Sequence, residues 1–150
     1  MKNMFEKQGA EEMIERINNL TADSKPQWGK MNAAEMLAHC SVAYEMVYTD
    51  KHPKPGAVGK FILQLFVKSA VVGPKPYSKN GRTAPQFLVG SDKNFDAEKK
   101  QLIDYIRKTQ ELGADYFHNK ESHSFGPLTK DEWNVSFSKH LDHHLTQFGV

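Results

Sequence analysis

Two histidines four residues apart near the end of the chain, His140 and His144, are the side chains whose type and spacing can do chemistry. On a helix, this spacing sets the two imidazoles about 6 Å apart along the axis, one turn above the other. Both rings then offer a nitrogen to one point, an arrangement that zinc-binding helices use. No Glu follows His140, so the HExxH motif of metalloproteases is absent. At roughly 100° per residue, Trp133, Phe137, Leu141 and Phe148 mark the apolar face of this helix, with His140 and His144 in its middle. His143 falls near the edge of that face, while Lys139 and Asp142 point to solvent. Two imidazoles are thus expected in a core, where polar rings are costly unless their nitrogens find partners. Two readings follow. The pair shares a metal ion, or each ring packs in the core and bonds to a side chain or water, as a single inward histidine commonly does.

His39 bears on that choice. It lies on the border of an apolar stripe in an earlier helix, beside Met36 and Ala43. Alone it is an ordinary border residue. Joined to the HxxxH pair it completes three imidazoles from two helices, which leaves one or more coordination positions for water or substrate. Neighbouring Cys40 is central in its stripe and reads as core. His123, in the loop Ser122-His123-Ser124-Phe125-Gly126, either reaches the mouth of such a site or is a surface residue. His52 and His118 read as surface or loop residues. No catalytic base is identified; His143 and His123 are the nearest candidates for a pocket around the metal. No phosphate loop, nucleophile elbow or carboxylate pair stands out, and the sequon Asn134-Val135-Ser136 falls on an expected helix.

The elements that must position these residues are helices. Ala10, Met13, Ile14, Ile17 and Leu20 predict a first helix over about residues 5–20. Asn32 with Glu35 forms a capping box for the second helix, Met31 staples onto Met36, and Pro53 and Pro55 end it. Its stripe is Met36, Cys40, Ala43, Tyr44 and Val47. A third segment, Val58 to Val72, is expected to turn Val58, Phe61, Ile62, Leu65, Phe66 and Val72 inward, with Lys60, Gln64 and Lys68 as the polar stripe. Residues 73–92 form a long Pro/Gly-rich loop with a turn at Asn80-Gly81, either a pocket wall or lid or a mobile linker. A helix over about 93–112 turns Phe95, Leu102, Ile103 and Ile106 inward and ends near Gly113. The last helix starts at Thr129, with Glu132 completing a second capping box and Leu128 stapled onto Trp133, and runs to about Phe148. No strand pattern is convincing. The expected architecture is all-α, a four-helix bundle with one extra short helix, in one domain over residues 1–150.

Composition narrows the classes. The 150 residues suit one core, and 39% hydrophobic with 25% charged residues is ordinary for a globular chain. Twenty basic against eighteen acidic side chains leave a formal charge of +2, with no basic cluster, so no nucleic-acid surface is expected. The single cysteine fits a reducing compartment, and the first residues lack the apolar core of a signal peptide. Val58 to Val72 is too short and too polar to span a bilayer. A cytoplasmic location, away from membranes, is expected.

The stretch from Trp28-Gly29-Lys30-Met31-Asn32 through Glu35-Met36-Leu37-Ala38-His39-Cys40 resembles the start of the second helix in DinB-like proteins. Phe125-Gly126-Pro127-Leu128-Thr129, Glu132-Trp133 and His140-Leu141-Asp142-His143-His144-Leu145-Thr146-Gln147 resemble their terminal metal-binding helix. The likeness is to an uncharacterised branch of the DinB/YfiT-like superfamily and runs along nearly the whole chain. It implies a four-helix bundle, usually a homodimer, with a divalent metal on His39, His140 and His144. Three imidazoles accept zinc, nickel, iron or copper, with zinc or nickel expected first and iron next. Several such proteins are transferases or isomerases that use low-molecular-weight thiols. Many carry Arg-Gly-Gln after the last ligand where this chain has Leu145-Thr146-Gln147, which leaves the thiol unnamed. Two functions therefore stand: a metal-dependent enzyme acting on a small molecule, as a thiol transferase or hydrolase, or a binding module in which the metal is structural.

Overall fold

The computed structural model describes residues 1–150. Six helices appear in chain order: α1 (Lys7–Asn18), α2 (Ala33–Tyr48), α3 (Ala57–Phe66), α4 (Lys68–Val72), α5 (Phe95–Phe117) and α6 (Lys130–Gln147). Between α5 and α6 lies a short antiparallel hairpin, β1 (Lys120–Ser122) with β2 (Gly126–Leu128), in the register Lys120 to Leu128 and Ser122 to Gly126. The chain is therefore mostly helical with one very small sheet. The strands are too short for an alternating pattern to show in the sequence.

Local chemistry sets both helix starts that matter for the site. Asn32 accepts from the Glu35 amide at 2.8 Å, and the Glu35 carboxylate accepts from the Asn32 amide at 2.8 Å. Thr129 and Glu132 repeat the motif at the head of α6, at 3.2 and 2.9 Å. Each box satisfies two backbone donors that the first turn leaves free. The long helix α5 has a break where the sequence predicted its end. Gly113 takes φ 73° and ψ 171°, and one further turn carries Phe117 into the core.

A core of 22 buried residues draws on α1, α2, α5 and α6, and α2 packs most extensively on α5. Its register is set by aromatic rings. Tyr44 of α2 stacks on Phe137 of α6 at 4.7 Å between centroids, and Phe117 of α5 meets Phe137 edge-on at 5.6 Å. Phe5 stacks on Phe117 at 5.0 Å and closes the column from the N-terminal side. Flat rings in such contacts resist sliding as well as burying area, so Tyr44 against Phe137 fixes α2 along α6. Arg16 ties α1 to the end of α6, with a 2.7 Å bond to Asp142 and bonds of 3.0 and 2.8 Å to the Val150 carbonyl.

The segment from Ala57 to Val72 departs from expectation twice. It breaks at Val67 (φ −113°) into α3 and α4, and its apolar face is turned outward. Val58, Phe61, Ile62, Leu65 and Phe66 are all exposed, whereas Val72 is buried. The polar stripe faces the body instead: Lys60 pairs with Glu121 of β1, and Lys68 pairs with Glu132 of α6 at 2.8 Å. Those carboxylates determine which side of α3 lies down. Part-exposed ion pairs contribute only about 0–1 kcal/mol each. Burying a large apolar side chain is worth roughly 1.5–3 kcal/mol. Within one chain, the observed orientation is the weaker of the two.

Lys139 also departs from expectation. Its position on the helix wheel points it to solvent, yet it is buried, because its amine finds carbonyl acceptors at the end of α4: Ala70 at 2.7 Å and Gly73 at 2.6 Å. Cations suit that end of a helix. The contact clips the α3–α4 strap onto α6 one residue before His140.

Replacing Asn32 with Ala removes the side-chain half of the cap under His39's helix. A loss of about 1 kcal/mol in unfolding free energy is expected, read as a lower urea midpoint with an unchanged slope.

Candidate metal centre

His39 projects from the second turn of α2, and His140 and His144 from successive turns of α6. Because the aromatic stack holds these helices side by side, the three rings meet. One ligand nitrogen from each lies within 4.8 Å of the others. Ring centroids stand 5.0 Å apart for His39 and His140, 4.5 Å for His39 and His144, and 4.9 Å for His140 and His144. His39 and His144 are buried and His140 is partly buried.

Hydrogen bonds on the far side of two rings decide which nitrogen faces the centre. His39 Nδ1 lies 2.9 Å from the Phe87 carbonyl oxygen. A carbonyl can only accept, so Nδ1 carries the proton and Nε2 presents its lone pair. His144 Nδ1 lies 2.8 Å from Gln147 Oε1, and Gln147 Nε2 donates to the Trp28 carbonyl at 2.6 Å. Because that carbonyl needs the amide NH₂, the Gln147 oxygen must face His144, and His144 Nε2 is likewise left as a lone pair. His39 Nε2 and His140 Nε2 are only 3.0 Å apart. Two lone pairs at that distance repel, so a proton on His140 Nε2 or a cation must lie between them. Such acceptor partners on the outer nitrogens are usual for metal-ligating histidines.

The donor set fits a divalent ion. Tetrahedral ligands at zinc–nitrogen distances of about 2.0–2.1 Å sit about 3.4 Å from each other, between the 3.0 Å contact and the 4.8 Å limit found here. Small side-chain shifts close the difference. Electrostatics prepare the rings as well. Burial lowers the pKa of His39, drives that of His140 well below the usual imidazole range, and takes His144 down to about 3; the neighbouring imidazoles add to the shift. All three are neutral at pH 7, the protonation state a metal requires.

Loops supply the surroundings. The 73–92 segment is a wall rather than a detached linker. Tyr77 meets His143 edge-on at 5.6 Å and His140 at 6.5 Å, and Phe87, in a single 3₁₀ turn (Pro85–Phe87), packs on His39 at 5.3 Å. Burial pushes the Tyr77 phenol up to about 12, so it stays protonated. Trp28, before α2, meets His143 at 5.8 Å, and the Lys79 amine lies 4.4 Å over its ring. The loop that carries Trp28 docks on α6 through the Gln27 amide and the Gln147 carbonyl at 2.7 Å. Gly29 makes that approach possible. Its φ is +82°, and a Cβ there would come within 2.5 Å of Gln147 Nε2.

His39, His140 and His144 are thus brought together, and His143 lies at the rim, half-buried. His123 is elsewhere in its bonding. It is buried, not on the surface, with Nε2 3.0 Å from the His52 carbonyl and Nδ1 2.8 Å from Ser124 Oγ. His52, read as a surface or loop residue, is partly buried against Glu45 at 2.7 Å, and His118 is exposed. Cys40 is buried beside Met36, and burial raises its thiol pKa beyond reach of neutral pH. Sequence reasoning missed Phe87, Trp28 and Tyr77, which long-range folding brings in. It could have found Gln147, three residues after His144 and therefore on the same helix face.

A mostly helical chain with a buried cluster of three histidines that can hold a metal ion is the class these features define. The chain belongs to the family described as "Protein of unknown function (DUF1569)", which matches residues 3–149. No curated protein and no solved structure matches it.

The imidazole shifts carry a sign. Unfolded imidazoles bind protons below about pH 6.5, while the buried rings take them up only at lower pH, so the unfolded state gains as pH falls. Metal-free protein should therefore lose melting temperature between pH 7.5 and 5, above the range where carboxylates titrate. His144→Leu should show a shallower slope over that window, and calorimetry at stepped pH measures both.

Proposed function

We propose that this protein binds one divalent metal ion through His39, His140 and His144, with zinc or nickel the first candidates and iron the next. We further propose that it is a metalloenzyme acting on a small molecule, as a thiol transferase or hydrolase. The observation that carries the reading is the pair of outer hydrogen bonds. Phe87 and Gln147 each take the far N–H of one ring, which aims two lone pairs at the place where His140 arrives. The resemblance of the His39 and HxxxH segments to DinB-like proteins supports the same reading. With it comes the proposal that α1, α2, α5 and α6 form a DinB-like four-helix bundle in a single domain.

A divalent ion on three neutral imidazoles supplies Lewis acidity, lowering the pKa of a thiol or water or polarising a substrate. The protein's own groups would hold and shield that chemistry. His39 and His144 are locked in one tautomer, so no ring must turn before binding. Tyr77, Phe87 and Trp28 wall the rings and limit water. We propose His143, at the rim and outside the ligand set, as the nearest candidate for a proton acceptor; burial lowers its pKa, which favours the neutral ring.

A purely structural ion is the second reading. It is favoured by the low exposure of His39 and His144, 5% and 8%, and by the way their anchors join α2, α6, the Trp28 loop and the Phe87 turn. Turnover separates the two. The metal-loaded protein, assayed with small thiols and electrophiles and with simple esters and amides, is expected to transfer or hydrolyse. If all are inert and chelation only lowers the melting temperature, the ion is structural.

Metal analysis of protein purified without a nickel column should give about one ion per chain for the wild type and almost none for His144→Ala. Equal content in the two would overturn the assignment. Gln147→Leu should weaken metal affinity by about 10- to 100-fold, seen by competition with a chromophoric chelator.

A further inference from the structure

The outer face of α3 is the one large apolar surface of an ordered helix that the chain leaves uncovered. Val58, Phe61, Ile62, Leu65 and Phe66 follow helical spacing along it and are between 49% and 75% exposed. At roughly 100 Å² apiece, judged from the areas that large side chains bury, they present about 500 Å². A patch of that size matches the largest found on a typical monomer, which is often functional.

We propose that α3 is the contact surface between two copies of this chain, packed face to face across a two-fold axis. Three observations select a second copy. First, area: the same patch from both copies totals about 1,000 Å², the point at which specific protein interfaces begin. Second, charge: the five residues carry none, and the adjacent Lys60 and Lys68 are already paired with Glu121 and Glu132 of their own chain. A second copy therefore brings no like charge against the first, as a self-complementary interface requires. A helix lying on an anionic membrane works differently, because it turns its free lysines toward the headgroups. Here both lysines of the strap's polar stripe, Lys60 of α3 and Lys68 of α4, are turned inward and paired. Third, shape: α3 has ten residues, about 15 Å, ends at the Val67 break, and is clipped to α6 through Lys68 and, beyond it, Lys139. That is a short, firmly backed ridge, suited to packing against an identical ridge.

The contact also explains the orientation of α3. Its apolar side faces outward because burial there comes from the partner, while the lysine side holds the helix to the body. Pairing would further steady the strap that leads through α4 to Tyr77 beside the histidines.

Sedimentation equilibrium and light scattering across micromolar concentrations test this with the full chain. The wild type should show twice the monomer mass, and Phe61→Glu with Leu65→Glu should halve it while leaving the helical circular dichroism intact. Ile62→Cys, at the middle of the face, should form an interchain disulfide on mild oxidation. The buried native Cys40 does not compete, and the exposed control Lys7→Cys should not cross-link. A wild type that stays monomeric, a double variant that stays dimeric, or cross-linking no better than the control would each overturn the proposal. So would a monomer that sediments with phosphatidylserine vesicles in an α3-dependent way.

Discussion

Nitrogen lone pairs do not share a 3.0 Å contact with nothing positive between them, and this constraint organises the centre of the molecule. The Phe87 carbonyl removes the choice for His39 by taking its proton on the outer side. Gln147, itself oriented by the Trp28 carbonyl, does the same for His144. What remains at the centre is a need for either an N–H donor, met by a neutral His140 with its proton on Nε2, or a metal ion. Burial holds the rings neutral and so leaves their inner lone pairs free. A cluster built only to fill space would not need two rings locked in the same sense, one by the Phe87 turn and one by Gln147 at the end of α6.

The rest of the fold supplies rigidity for this arrangement. Tyr44 against Phe137 sets the level of α2 along α6, and the capping boxes at Asn32 and Thr129 set where each helix begins. A slip of one residue in either helix would rotate its histidine by roughly 100° and dissolve the cluster. The loops then complete the centre from outside, with Gly29 permitting the close approach of the Trp28 loop to Gln147.

The α3–α4 strap obeys a different logic. Its inner contacts are ionic and carbonyl-mediated, through Glu121, Glu132 and Lys139, and its outer face is apolar. An isolated chain usually arranges these the other way round. The strap is also the path by which the long loop reaches the histidines, so whatever covers α3 stands two short elements from the candidate metal centre.

Helix existence, both capping boxes, the Asn80-Gly81 turn and the inward pair His140 and His144 were legible in the sequence, because each rests on spacing within one element, whereas His39, alone a border residue, was only a candidate until α2 met α6. Asn80 indeed takes φ 57°, and the stripe of α6 does carry His140 and His144 toward α2. The tertiary structure alone decided what depends on partners distant in the chain. Periodicity divides a helix into two faces without saying which one finds a partner, so it predicts for α3 the opposite of the orientation that folding gives. The charge of Lys139 predicts solvent exposure and says nothing of the carbonyls waiting at Ala70 and Gly73. The acceptors that set the histidine tautomers could not be read either, since two of them are backbone carbonyls, which every residue possesses, and only folding brings those of Phe87 and Trp28 to the site.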